Sequence, residues 1–83
     1  MRCDGVHYTD SSIVMSDGAC GLVKACCQAN GNYYLVVQAI VPVSRYEHHV
    51  VFDVRPNFFL TSPGGRTAHC WFQSKGDRVT ALV

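Results

Sequence analysis

Five cysteines (Cys3, Cys20, Cys26, Cys27, Cys70) and four histidines (His7, His48, His49, His69) are the side chains here best able to hold a metal or act as nucleophile and base. Their spacing argues against both roles. Structural zinc sites are usually built on a C-x-x-C pair, whose turn aims two thiolates at one ion. No such pair occurs. Cys26-Cys27 and His48-His49 are adjacent residues, and adjacent side chains on a strand point to opposite faces, so each couplet offers one ligand at most. What is left is a composite set such as Cys3, His7, Cys20 and His69, for which the spacing gives no support. The sequence therefore predicts no metal and no cofactor.

Nucleophilic catalysis needs a thiolate or alkoxide beside a base that a third group orients. Cys70 directly follows His69, but on a strand the two face apart, and Cys70 shares its face with Ala68 and Phe72. It reads as a buried packing thiol. Asp4, Asp10, Asp17 and Asp77 fall in turn or loop sequence, Glu47 in a bend, and only Asp53 on an expected strand, so no acid–base pair assembles. The glycine-bearing segments 17–21 and 63–66 lack a P-loop lysine and a following helix. These absences predict a protein that is not an enzyme.

The aromatic and cationic residues carry more. Tyr33 and Tyr34 open the most apolar segment of the chain, Tyr46 lies in a bend, and Trp71 shares with His69 and Gln73 the wetter face of its segment. Aromatics so placed hold peptides, methylated lysines or single-stranded bases, and they also close the ends of small cores. A formal net charge of +1 gives no general attraction to nucleic acid or anionic lipid. Arg45, Arg55, Arg66, Lys75 and Arg78 are scattered singly, as on a solvated surface. The candidate binding set is Trp71, Tyr33, Tyr34, Tyr46, His69, Arg45 and Arg55. His48 and His49 stand beside Glu47 at a strand start, where such pairs have no necessary role.

The elements that must position these residues read as β-structure throughout, because Pro and Gly recur too often for an amphipathic helix. Strands are expected at 12–15, 21–29, 33–41, 49–55, 67–73 and 78–83. In the second, Val23, Ala25, Cys27 and Ala29 alternate with the wet positions Lys24 and Gln28. Asn30-Gly31 is the strongest turn signal, since tight hairpins require positive φ there. The run 33–41, interrupted only by Gln38, is expected to be a central strand covered on both faces or bent around a barrel corner. Pro42 should interrupt or bulge the sheet, with a bend or edge segment over 42–47, and Pro56 should end the fourth strand. Residues 58–60 are apolar but short. The competing reading is a helix over 19–28, weakened by Gly18 and Gly21 and by the hairpin signal that follows.

Eighty-three residues allow one domain, 1–83, which buries only about 60 to 65% of its unfolded surface and has modest stability unless something assists it. Apolar residues make up 48% and charged residues 16%, a balance that excludes disorder. No segment approaches the roughly 18 apolar residues of a membrane helix, and the first residues carry no apolar leader, so no membrane partner is expected. The strand-like sequence at 79–83 raises the expectation of a domain excised from a longer protein. An odd cysteine count favours reduced, mostly buried thiols and hence an intracellular protein of the cytoplasm or nucleus.

The order of hairpins resembles that of small SH3-like barrels, including the chromatin-associated Tudor and BAH types. That resemblance implies an architecture, a small antiparallel sheet curled into a partly open barrel of five to six strands. No motif matches position by position, so no binding residue carries over. The fold class expected is all-β, with α+β as the alternative should 19–28 be helical. The function expected is a recognition or assembly module that binds a protein or peptide partner through an aromatic-lined groove or a sheet edge. Alternatives are a nucleic-acid or chromatin reader and a disulfide- or metal-stabilised extracellular domain.

Overall fold

A computed structural model of the chain describes residues 1–9, 12–16, 18–71 and 77–82, with the main chain alone described at 66–71 and 82. All the regular structure is strand: β1 (Arg2–Cys3), β2 (Val6–His7), β3 (Ser12–Ser16), β4 (Ala19–Ala29), β5 (Asn32–Arg45), β6 (His49–Thr61), β7 (Arg66–Trp71) and β8 (Arg78–Leu82). The protein is all-β, and the helix weighed for 19–28 is strand β4. Antiparallel ladders run β3-β4-β5-β6-β8-β7 and return from β7 to β3, which closes a six-stranded barrel. The wall still has a gap. β4 begins at Ala19 and its last partner on β5 is Ile40, so among the described residues positions 41–45 of β5 pair only with β6.

Asn30 and Gly31 have φ of 51° and 80°, the doubly positive geometry of a two-residue hairpin loop, and they join Ala29 to Asn32 as the sequence predicts. The sheet bulges beside Pro42, at Val43, as the proline suggests, but strand β5 does not stop there and continues as an edge segment to Arg45, with Pro42 paired to Phe52. Pro42 is tolerated because it lies past the end of β4, where no β4 ladder needs its missing N–H. Nor does Pro56 end a strand. The segments 49–55 and 58–60 are one strand, β6, in which residues 55–57 bulge out opposite Ala39.

Two cores result, one on each side of the same strands. Ile13, Leu22, Ile40, Val50, Phe52, Val79 and Ala81 fill the barrel. Their chain neighbours Val14 and Val23 point the other way and pack with Leu35, Val37, Cys3 and Tyr8 in a second core. The lid of this second core is the β1–β2 hairpin, turned by Asp4-Gly5. It is tied down at several points. The Met1 ammonium donates to the Tyr8 carbonyl (3.0 Å) and the Tyr8 N–H donates to the Met1 carbonyl (2.8 Å). The buried Tyr8 hydroxyl accepts from the Gly64 N–H (2.9 Å), and a disulfide joins Cys3 to Cys26 with Cα atoms 5.7 Å apart. The expectation of reduced thiols fails at these two positions. Cys20 is free and half-buried, and Cys27 is free and exposed rather than packed.

Candidate functional site

The gap in the barrel wall opens into an apolar groove of about 740 Å³, within the range of ligand-sized clefts. Its floor is barrel core, formed by Ile13, Ile40, Val50 and Phe52. One bank is the β3–β4 connection with Met15, Ala19 and Cys20, and the other is the stretch of β5 that lacks a β4 partner, with Val41, Pro42 and Arg45. Asn57 and Phe58, at the β6 bulge, close one end. Arg45 is the one charged side chain among the described residues that line the groove. Burial alone raises the pKa of the Cys20 thiol above its ordinary value, which leaves it protonated and a poor nucleophile at neutral pH.

The groove continues onto an open face. Cross-strand partners in an antiparallel sheet share a face, so Gln38 and Phe58, then Ala25, Val36 and Leu60, then Cys27 and Tyr34, lie in successive rows on the side that lines the barrel at Leu22 and Ile40. Nothing described covers this platform. Phe58 and Leu60 are 59% and 60% exposed, whereas Leu35 and Val37 on the opposite face are fully buried beneath the hairpin.

The candidate residues chosen from sequence disperse around this geometry. Arg45 lines the groove, and Tyr34 stands at the far end of the platform. Tyr33, beside it, points to the other face and is 39% exposed. Tyr46 is at the opposite end of β5, in the turn to β6, where its ring stacks on His49 at a centroid distance of 4.5 Å. Tyr33 and Tyr46 therefore do not share a groove. Arg55 is exposed on the β6 bulge, where its carbonyl accepts from Gln38 Nε2 (3.0 Å). The side chains of His69 and Trp71, and Lys75 altogether, lie outside the described residues, as does the side chain of Arg66. Glu47 and His48 make only a 3.9 Å contact at full exposure. The composite metal set is lost, because Cys3 is committed to the disulfide. Among the described residues no cluster of three metal-ligating side chains forms, and no helix is long and apolar enough to cross a membrane.

Sequence reasoning missed Ile40, Phe52, Phe58 and Leu60 as site residues. Their types are those of ordinary core, and only the bulges and the end of β4 decide that they border open space. Fold and site together define a small β-barrel, open on one side, with an apolar groove and no assembled catalytic group among the described residues. Comparison of the chain with known protein families, curated proteins and solved structures finds no match.

Proposed function

We propose that this domain is a non-enzymatic recognition module that binds an apolar segment of a partner polypeptide in the groove between the β3–β4 turn and residues 41–45 of β5. The observation that carries this reading is the coincidence of two features. The groove floor offers an apolar receptor of ligand size, and its β5 bank is the stretch of strand that has no β4 partner. An extended peptide can use both at once, placing side chains in the groove while its main chain meets the unpaired strand. Residue 42, a proline, offers only a carbonyl in such pairing.

A second observation bears on where the module works. A disulfide that ties the lid of the second core supports an oxidising compartment rather than the cytoplasm or nucleus, because thiols are kept reduced in the latter. This favours the disulfide-stabilised extracellular reading among those the sequence left open. A nucleic-acid reader is less favoured, since Arg45 and Arg55 are separated on different strands and line no common basic surface.

The test is an array of hexapeptides, each carried once with a free carboxyl end and once tethered through it, probed with the 83-residue chain and with Phe58→Ser. Phe58 is mostly exposed, so its replacement removes a wall of the groove with little cost to the fold. Capture of Leu-, Ile-, Val- or Phe-rich peptides by the wild type, weakened in the variant, is the expected result. Capture that ignores apolar content, or that survives Phe58→Ser unchanged, refutes the reading.

A further inference from the structure

We propose that the groove recognises the carboxyl terminus of a polypeptide, with large apolar residues at its last positions seated in the groove and the terminal carboxylate on Arg45. This inference rests on the reading of the groove as a peptide site and specifies which part of the partner enters it.

Charge complementarity is the first argument. Among the described residues Arg45 is the sole charged residue on an otherwise neutral, mostly apolar lining. Among the described residues the ion pairs are Glu47–His48 and Asp53–Arg78, neither of which involves Arg45. A guanidinium presents a planar fork that matches a carboxylate with two parallel hydrogen bonds, so an anionic group beside an apolar anchor is the chemistry that completes the site.

Position along the strand is the second argument. Arg45 is the last residue of β5, and the chain then turns through 46–48 into β6. A peptide lying along 41–45 runs out of strand to pair with at Arg45, so its end belongs there. Two directions are open to it. Running antiparallel to β5 would bring a free N-terminus to Arg45 and set an ammonium against a guanidinium, a like-charge contact that selects against that orientation. Running parallel brings the carboxylate there instead. Five strand residues at about 3.3 Å per residue accommodate a stretch of roughly four to five peptide residues, which places the last two or three side chains over the groove.

The experiment measures fluorescence polarisation of three fluorescein-labelled hexapeptides, Gly-Ser-Gly-Ser followed by Val-Leu, Val-Phe or Val-Val. Each is made as the free acid, as the carboxamide, and as the acid extended by a further Gly-Ser. Wild type, Arg45→Ala and Arg45→Lys are compared. A hydrogen-bonded charge pair at the groove rim predicts that at least one free acid binds about tenfold or more tightly than its carboxamide and its extended form. Arg45→Ala should erase that difference, and Arg45→Lys should restore part of it. Equal binding of acid and carboxamide by the wild type overturns the carboxyl-terminal inference and leaves the groove reading standing. Failure of all nine peptides to bind overturns both.

Discussion

Reduction of the Cys3–Cys26 disulfide should destabilise the fold by an amount that follows from its place in the chain. The bond spans a sequence separation of 23 residues. Closing a loop of that length removes denatured-state entropy worth about 3.4 kcal/mol at 25 °C. A chain of this size has a total stability of roughly 4–12 kcal/mol, so the bond accounts for between a quarter and most of it. In a thermal scan the loss corresponds to a fall in Tm of about 15–25 °C. The native side of the balance works in the same direction, because Cys3 and Tyr8 belong to the second core and a detached hairpin uncovers Val23, Leu35 and Val37. The assay compares untreated protein, protein with reductant, and Cys3→Ala/Cys26→Ala by circular dichroism, with a hydrophobic dye reporting uncovered core. The reduced protein and the double variant should melt together, well below the untreated protein, and both should bind more dye. Thiol titration in denaturant should find two more reactive thiols after reduction than before. An unchanged thiol count, or a Tm shift below about 3 °C, would refute the reasoning from loop closure and from the tethered lid together.

Gly21→Ala tests the packing of the second core. A Cβ at that position meets the Val37 side chain, the Gln38 carbonyl oxygen at 2.9 Å and Phe59 Cζ at 3.2 Å, and the carbonyl is fixed in a ladder. Urea unfolding should register a loss of about 1–3 kcal/mol. Gly65→Ala, where the nearest atom is the Met15 carbonyl oxygen at 3.8 Å, serves as the control and should move the midpoint little; equal effects of the two would contradict the close approach. The Cys20 thiol, its pKa raised by burial, is the second chemical probe. At pH 7.5 a smaller fraction is thiolate than for an ordinary cysteine, so iodoacetamide should modify the exposed Cys27 first and Cys20 only slowly, with the Cys20 rate still climbing above pH 9. Peptide mapping of alkylated native protein decides the order, and faster labelling of Cys20 would show that the groove wall is more open than its half-buried thiol indicates.

Period-two alternation and turn chemistry carried most of the architecture. Asn30-Gly31 sits at the tip of the β4–β5 hairpin because both residues adopt the positive φ that the dipeptide favours. Proline punctuation misled at Pro56, where the strand bulges over residues 55–57 and continues. The β1–β2 hairpin went unseen because its strands are two residues each, too short for alternation to register, although Asp4-Gly5 is a hairpin dipeptide of the same kind as Asn30-Gly31. The disulfide was illegible for a different reason. Spacing among five cysteines does not fix a pairing, and Cys3 meets Cys26 only because the hairpin folds back over β4 and β5. For the site, residue type drew attention to tyrosines at strand ends. The groove instead depends on where β4 stops, a boundary that no single residue encodes.

The platform and the staple belong to one design, because they occupy opposite faces of the same three strands. Leaving a side chain such as Phe58 or Leu60 in water forgoes about 1.5–3 kcal/mol of burial each, a heavy sacrifice in a chain with so little surplus. The sheet can stand it only if its other face is held unusually well. That face carries Leu35 and Val37 at full burial, the Tyr8 hydroxyl bond to Gly64 and the Cys3–Cys26 bond, all within the segment that lies behind Phe58 and Leu60. The bulge at Lys24 serves both sides. By inserting one residue between Val23 and Ala25 it lets Val23 and Cys26 both face the covered core while Ala25 joins Val36 on the open one. A sheet stapled from behind can therefore present an apolar surface in front without collapsing onto it.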